Sequence, residues 1–253
     1  MQLWYAHPLI AGFMTRSLPA GYESLPGYAD RGWPTCESSW IALAKVKRKV
    51  SWAPVFDVVG ETQFRQPPPM TPAALARLVA SKRFTSKKGD LPMVIELNTR
   101  TIISLFRDVV ELGYTALDWG NAEMVQLCKV LPFCRSLTKL LLYRNKLGDE
   151  SMIALAGAVS KGALASCQEL NLFNNQIGDI GLSALAKACA SGALASLEEL
   201  LLGGNQIGDK GMSALTGAVS TGELASCQTL NLGSNQIGER AEVPAQSASS
   251  HMS

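Results

Sequence analysis

Side chains that could do acid–base, nucleophilic or metal chemistry are few in this chain of 253 residues. The two histidines, His7 and His251, lie near opposite termini, so a Ser/His/Asp arrangement has no well-placed base. Cys128 and Cys134 are too far apart to form a C-x-x-C pair of zinc ligands. The segment TSKKGD lacks the frame of a phosphate-binding loop. We therefore predict no catalytic residues, no metal site, no cofactor and no enzymatic activity.

Charge and hydropathy limit the possible partners. A net charge of +2 is nearly neutral and does not favour nucleic acid or acidic lipid. Two basic clusters, KVKRK and SKRFTSKK, could contact phosphate groups, but a solvated helix face or loop accounts for them better. No apolar run approaches the roughly 20 residues of a membrane span, and the N-terminal segment lacks the basic start of a signal peptide. We expect neither a nucleic-acid partner nor a membrane.

One ten-residue pattern returns every 30 residues in the second half of the chain. It reads LNLFNNQIGD from residue 170, LLLGGNQIGD from residue 200 and LNLGSNQIGE from residue 230. A fixed period of this length indicates a solenoid. Alternating apolar residues predict a short strand, and an apolar stripe at helical spacing then predicts a helix. The asparagine at the ninth position, such as Asn175, is expected to bond the backbone of the turn and of the neighbouring unit.

The shared frame is L-x-x-L-x-L-x-x-N-x-L/I, with Leu137 at position one of the first clear unit. It resembles the leucine-rich repeat, and the helical half that follows resembles the ribonuclease-inhibitor-like type found in proteins of unicellular algae. The resemblance covers roughly residues 107 to 240. It implies an α/β fold, a leucine-rich-repeat solenoid with a curved parallel sheet and an irregular N-terminal α-helical extension.

The cysteines fit the apolar frame better than a disulfide framework. Cys167 and Cys227 stand where other units have the first leucine, and Cys189 lies on the apolar stripe of a helix. A thiol in such a place acts as a small apolar residue. We therefore expect reduced cysteines and a cytoplasmic location.

Helices and an open end are expected on either side of the repeats, which divides the chain into four segments. A helix should begin at Pro72 with Thr71 as its cap, and a second helix should have Asp90 near its start and Pro92 in its first turn. Proline and few apolar residues after the last strand predict an uncapped end that could self-associate. The segments are an aromatic-rich N-terminal segment (1–66), a helical N-terminal cap (67–108), the solenoid (109–240) and a disordered tail (241–253).

A degenerate first unit is expected from about Val109. Stepping back 30 residues from the next unit assigns Val109, Glu111 and Gly113 to positions three, five and seven. The same step leaves Arg107 and Thr115 in place of the first leucine and the asparagine.

The stretch YADRGWPTCE in the N-terminal segment resembles a segment found upstream of such repeats in algal proteins. It is also loosely similar to the R-x-W-x-x-x-E segment of TIR-like signalling domains. The resemblance makes Arg31 and Glu37 a candidate polar pair, although a structural ion pair around Trp33 is the more economical interpretation.

The strand residues that differ between units are expected to form the concave surface of the sheet. Tyr143 and Phe173 share position seven in adjacent units, and Gly203 and Gly233 should form a flat, open floor beside them. Exposed neighbouring aromatics are common anchors of protein interfaces. The candidate partner-binding residues are Lys139, Leu141, Tyr143, Glu169, Asn171, Phe173, Glu199 and Leu201.

These patterns predict a protein–protein interaction scaffold whose partner is another protein. One alternative is a regulatory fragment of a signalling protein with a remnant TIR-like effector domain. Another is a Ran-GAP-like GTPase activator, because proteins of that kind share the repeat type and use polar residues from strand-to-helix loops. Arg144 with Asn145 comes closest to such a pair, although the scaffold already needs Asn145.

Overall fold

The computed structural model describes residues 12–14, 30–36, 55–57, 67–84, 87–190, 192–222 and 224–238. Both histidines, Glu37, the KVKRK cluster and the expected tail lie outside these ranges. Near the N-terminus, strands β1 (Gly12–Met14) and β2 (Val55–Asp57) pair in parallel.

Five short parallel strands form the sheet of the solenoid, in the order in which they occur in the chain. Their central leucines stand in register, with Leu140 opposite Leu170, then Leu200 and Leu230. The 30-residue spacing predicted this register. The strands are β3 (Glu111–Gly113), β4 (Lys139–Leu141), β5 (Glu169–Asn171), β6 (Glu199–Leu201) and β7 (Thr229–Asn231).

Among the described residues, six helices of eight or more residues accompany the strands, and the last four each follow one strand of the sheet. Gly162, Gly192 and Gly222 have φ of 88°, 73° and 81° just after helices of the solenoid, and this left-handed backbone, which glycine adopts readily, ends those helices. The helices are α1 (Pro72–Ala80), α2 (Lys87–Asp108), α3 (Asn121–Cys128), α4 (Asp149–Val159), α5 (Asp179–Cys189) and α6 (Asp209–Ser220).

The core lies between the sheet and the helices and runs through successive units. Leucines at positions four and six of the three regular units, such as Leu170 and Leu172, are fully buried. Leu182 and Leu185 of α5 close the core from the helical side. Each unit therefore covers the apolar surface of the next, as a solenoid requires.

A ladder of asparagine side chains links the turns that follow the strands. The Asn175 Nδ2 group donates to the carbonyl oxygens of Leu142 and Leu172, each at 3.0 Å. Its Oδ1 accepts from the Leu147 N–H at 3.1 Å. Asn205 repeats the pattern one unit later, and both asparagines are only 7% exposed. The expected role of these asparagines is confirmed.

A second ladder, of aspartates, links the N-termini of the helices. The Asp149 Oδ1 atom accepts from the N–H groups of Gly178 and Gly181, at 2.8 and 2.9 Å. Asp179 does the same for Gly208 and Gly211 at 2.7 and 2.9 Å. Each carboxylate thus accepts from N–H groups at the N-terminus of the next helix rather than its own. It also lies at the positive end of the dipole of that next helix. The repeated GD dipeptide marks this ladder in the sequence.

The first unit is two residues shorter than the others, and its predicted register is wrong. Leu112 pairs with Leu140 rather than lying opposite Leu142, so Glu111 and Gly113 take positions three and five. The lost residues come from the helical half, because α3 has 8 residues and ends before a 3₁₀ turn, whereas α4 has 11. Pro132 in that turn cannot continue an α-helix. Counting back by 30 therefore overshoots the strand.

Large aromatic side chains fill the core of this short unit. Trp119 stands where later units have Leu147 or Ile177, and it is fully buried. The Tyr114 ring stacks on it with the centroids 4.5 Å apart. Two large stacked rings thus belong to the core of this unit.

The helices before the solenoid follow the predicted caps with one difference. The Thr71 hydroxyl accepts from the Ala74 N–H at 3.2 Å, as expected for the start of α1. Helix α2 begins at Lys87, earlier than predicted, so Pro92 lies inside it and not in its first turn. Residues 30–36 dock beside these helices: the Gly32 N–H donates to Arg83 O at 3.0 Å, and the Asn98 Nδ2 donates to the buried Cys36 Sγ at 2.8 Å.

We predict that Asn175→Ala lowers the free energy of unfolding by about 1–3 kcal/mol, because buried backbone groups lose their partners. The matched control is Asn235→Ala. Asn235 makes the same kinds of bond at the last described turn but is only partly buried, so water can replace it and the loss should be smaller. Urea unfolding of both variants measures the difference. Equal, negligible losses would contradict the role of the ladder.

Two glycines of α6 should respond oppositely to alanine. A Cβ on Gly211 would lie 2.7 Å from Asp179 Oδ1 and 3.1 Å from Asp179 Cα, whereas a Cβ on Gly217 meets nothing within 4 Å. We expect Gly211→Ala to destabilise the protein by about 1–3 kcal/mol through overpacking. Gly217→Ala should stabilise it by about 0.5–1 kcal/mol through helix propensity. Thermal melts that shift in the same direction would contradict the close approach of the aspartate ladder.

Candidate functional site

The strand face consists of the side chains at positions three, five and seven of β4 to β7 and the turns after them. These side chains alternate with the buried leucines, so they project away from the core. The structure brings all eight candidate residues onto this face. Glu199 is exposed, and the other seven are partly buried.

Position three carries an acidic row interrupted by one lysine. The Lys139 Nζ atom lies 2.6 Å from Glu169 Oε2. The hydrogen bond to Glu169 and the charge of Glu169 raise the pKa of Lys139, and Glu111 and Glu199 add to the effect. Lys139 thus engages Glu169 directly, while Glu111 and Glu199 leave the row net negative. A lysine or arginine of a partner is therefore attracted more strongly near β6 than near β4, where Lys139 lies.

Position five alternates between leucine and asparagine along β4 to β7. The Asn171 Oδ1 atom accepts from the Phe173 N–H at 3.2 Å, and the Asn231 Oδ1 atom accepts from the Gly233 N–H at 3.1 Å. A backbone N–H can only donate, so the oxygen of each amide faces its own turn. The two Nδ2 groups consequently present their N–H donors to the open side of the strand face. The alternation was visible in the sequence, but the fixed orientation of the amides was not.

The aromatic side chains at position seven are arranged differently from the expected ridge and floor. The Phe173 ring lies over Gly203, and a Cβ on Gly203 would come within 2.9 Å of Phe173 Cε2 and of Asn231 Oδ1. Gly203 is therefore buried beneath these side chains, whereas Gly233 remains exposed. The prediction of an open floor is wrong at Gly203, because its missing side chain is what lets Phe173 lean into the next unit. Tyr143 stays partly buried beside it.

The turns that leave the strands use a left-handed backbone at position eight. Arg144, Asn174 and Ser234 have φ of 57°, 53° and 58°, and Gly204 has 68°. Arg144 is exposed at this edge. Asn145, its proposed companion in a GTPase-activating site, is 7% exposed. The Asn145 amide bonds the backbone of Leu117, Trp119, Tyr114 and Leu142, so it belongs to the scaffold.

The described residues contain no group of His, Cys, Asp and Glu side chains placed to hold a metal ion. Among the described helices, none combines the length and apolar character needed to cross a bilayer.

A sequence-family model described as a leucine-rich repeat matches residues 133–156, 168–186 and 193–215. These segments contain strands β4 to β6, the turns after them and most of helices α4 to α6. The chain folds as a leucine-rich-repeat solenoid.

Other comparisons relate the solenoid to known proteins more distantly. A search of curated proteins finds no match. Among solved structures, 53 chains match. One is an internalin, inlF, from Listeria monocytogenes str. 4b F2365, with 21% sequence identity and a TM-score of 0.30. The match covers 55% of this chain and 32% of that chain, so it spans about a third of the internalin.

All six cysteines of the chain are present as thiols, and several are buried in the leucine-rich-repeat core. Burial raises the pKa of Cys128, Cys134 and Cys167 to about 12 in each case. Burial also raises the pKa of Cys227. The thiolate is the nucleophile, so these groups are poorly suited to nucleophilic chemistry near neutral pH.

We predict slow modification of native Cys128, Cys134 and Cys167 by Ellman's reagent near pH 8. A pKa near 12 makes the thiolate roughly a thousandfold scarcer than in an ordinary cysteine, and the rate should rise about tenfold per pH unit. Denaturant should release all six thiols. Rapid native reaction of Cys128, Cys134 or Cys167, or fewer than six thiols after unfolding, would contradict this arrangement.

Proposed function

We propose that the solenoid is a protein-interaction scaffold that binds its partner on the strand face, which we take to be concave. The observation that carries this proposal is the aromatic pair Tyr143 and Phe173, which projects from adjacent strands on the side opposite the leucine core. Solenoids of stacked repeats offer extended surfaces of this kind to partners. Aromatic side chains that are already partly ordered lose little conformational entropy on binding, which makes them effective anchors.

The surroundings of the aromatic pair also suit a protein ligand. Leu141 and Leu201 give apolar contact at position five, while Asn171 offers amide donors between them. Glu199 adds negative charge at the edge. An apolar centre with a polar rim is the usual anatomy of a protein interface.

The alternatives have less support. A GTPase activator would need Arg144 and Asn145 together. Arg144 is exposed in the turn after β4, but the Asn145 amide is hydrogen-bonded to backbone groups of the scaffold. The TIR-like interpretation depends on Glu37, which lies outside the described residues. Self-association through the C-terminal end also stays a prediction; Leu230, Leu232 and Ile237 are only partly buried there.

We further propose the ribonuclease-inhibitor-like subtype and a reducing, cytoplasmic location. The subtype is supported by units that each combine a strand with an α-helix of about three turns. The location is supported by six thiols, of which four are buried.

The aromatic pair supplies the test. We expect Tyr143→Ala/Phe173→Ala to weaken partner binding by about 2–4 kcal/mol, because two anchors are lost. Its melting temperature should change little, because neither side chain enters the leucine core. The partner is first captured by photo-crosslinking from the native cell, and its affinity is then measured by calorimetry.

The matched control is Ile153→Ala/Ile180→Ala, which removes two large apolar side chains from the helical surface. Ile153 is 49% exposed and Ile180 is 66% exposed. This variant should keep wild-type affinity. If it loses binding while the aromatic variant keeps it, the partner binds the helices and not the strand face. A collapsed melt of the aromatic variant would assign Tyr143 and Phe173 to the core.

A further inference from the structure

We propose that the strand face binds a proline-rich segment in the polyproline II conformation, lying along the axis of the solenoid across β5, β6 and β7. This inference rests on the proposed function and names the class of ligand. It follows from the outward amide donors of Asn171 and Asn231, from their spacing, and from the aromatic and acidic groups beside them.

The spacing of the two amides matches one kind of extended chain. Asn171 and Asn231 share position five, with Leu201 between them, so they are two strands apart. Adjacent strands lie about 4.8 Å apart, which separates the amides by about 9.6 Å. A polyproline II helix repeats every three residues, or about 9.3 Å. A β-strand repeats its side-chain direction every two residues, or about 6.6 Å, and does not match the pair.

The hydrogen-bond types are also complementary. The Nδ2 groups of Asn171 and Asn231 can only donate, because an amide nitrogen has no free lone pair to accept with, and each Oδ1 already accepts from its own turn. A polyproline II segment makes no internal hydrogen bonds, and proline has no N–H, so its carbonyl oxygens greatly outnumber its donors. Carbonyls three residues apart would meet the two amides on one side of the ligand.

The apolar contact lies between the two amides. The Phe173 ring reaches over Gly203 and approaches Asn231, so an aromatic surface borders the amide column next to Leu201. Aromatic-lined grooves are the usual receptors of proline-rich segments, because proline rings pack on aromatic faces and the ligand is already extended. This arrangement puts the ring beside the prolines that separate the bonded carbonyls.

The charge of the face selects among proline-rich segments. Glu199 is exposed on β6, between the strands that carry the two asparagines, whereas Lys139 engages Glu169 one unit away. The segment should therefore carry a lysine or arginine near its centre. An acidic residue there would be repelled.

Binding of defined peptide pools to the full chain tests the inference. The first pool has proline at every third position, one arginine and random residues elsewhere. The second has alanine in place of proline, and the third has glutamate in place of arginine. Fluorescence anisotropy should show the first pool bound about tenfold or more tightly than either of the others. Equal binding of the proline and alanine pools, or no binding of the proline pool, would overturn the inference.

Variants of the asparagines connect the binding to the proposed donors. Asn171→Leu and Asn231→Leu introduce the residue that the chain itself uses at Leu141 and Leu201. Each should weaken binding of the proline pool about fivefold, and the double variant about 25-fold, the effect of one and two lost hydrogen bonds. Asn171→Asp keeps an acceptor for the Phe173 N–H but replaces the outward donor by an acceptor. It should therefore weaken binding of the same proline pool made without its arginine, even if the leucine variants prove less stable.

Lys187→Leu on the exposed surface of α5 is the matched control and should bind like wild type. Unchanged binding in all the asparagine variants would overturn the inference. Binding of the alanine pool distinguishes a failure of this inference from a failure of the proposed function. If it binds as well as the proline pool, and Tyr143→Ala/Phe173→Ala abolishes that binding, the strand face is an interaction surface but does not select polyproline II.

Discussion

Backbone groups buried in the strand-to-helix turns are the constraint on which this solenoid depends. The turns leave the sheet after three residues. Some of their backbone groups bond the next unit directly, as the Arg144 N–H does to Phe173 O at 2.9 Å, but others have little access to water and need a side-chain partner. One asparagine amide per unit supplies both a donor and an acceptor to them, as Asn175 does for Leu142, Leu147 and Leu172. The same amide bonds its own turn and that of the preceding unit. It therefore fixes the separation of neighbouring strands as well as the path of each turn.

The aspartate ladder applies the same solution at the start of the helices. Asp149 and Asp179 bond the N–H groups of the following unit, and the close approach of the carboxylate leaves no room for a Cβ at Gly181 or Gly211. The first unit has Asn121 in place of the aspartate, and Ser151 stands where later units have glycine. The Ser151 hydroxyl donates to Asn121 Oδ1 at 2.6 Å. A change in one unit is thus matched by a change in the next.

The regular units could be predicted from the sequence because every unit repeats the same physical solution. Strand register, buried leucines, the asparagine ladder and the helix-ending glycines all follow from the 30-residue period. The first unit could not be placed in the same way. Its helical half is two residues shorter, and Trp119 and Tyr114 replace the usual packing, so the period itself is broken there. The candidate residues lie on one face of the sheet, as the alternation predicts, but the burial of Gly203 depends on where Phe173 leans, which no single position records.

The strand face therefore cannot be understood one position at a time. Phe173 leans over Gly203, and the side chain of Asn174 likewise occupies the space beside Gly204, so two residues of one unit depend on two glycines of the next. Asn171 in turn holds the Phe173 N–H and is thereby forced to present its donors outward. The shape of the strand face is therefore set by side chains of adjacent units acting together, on a backbone frame that the units share. A substitution at one position should change the shape of the neighbouring position as well, which is why the aromatic and amide variants have to be compared with matched controls on the helical surface.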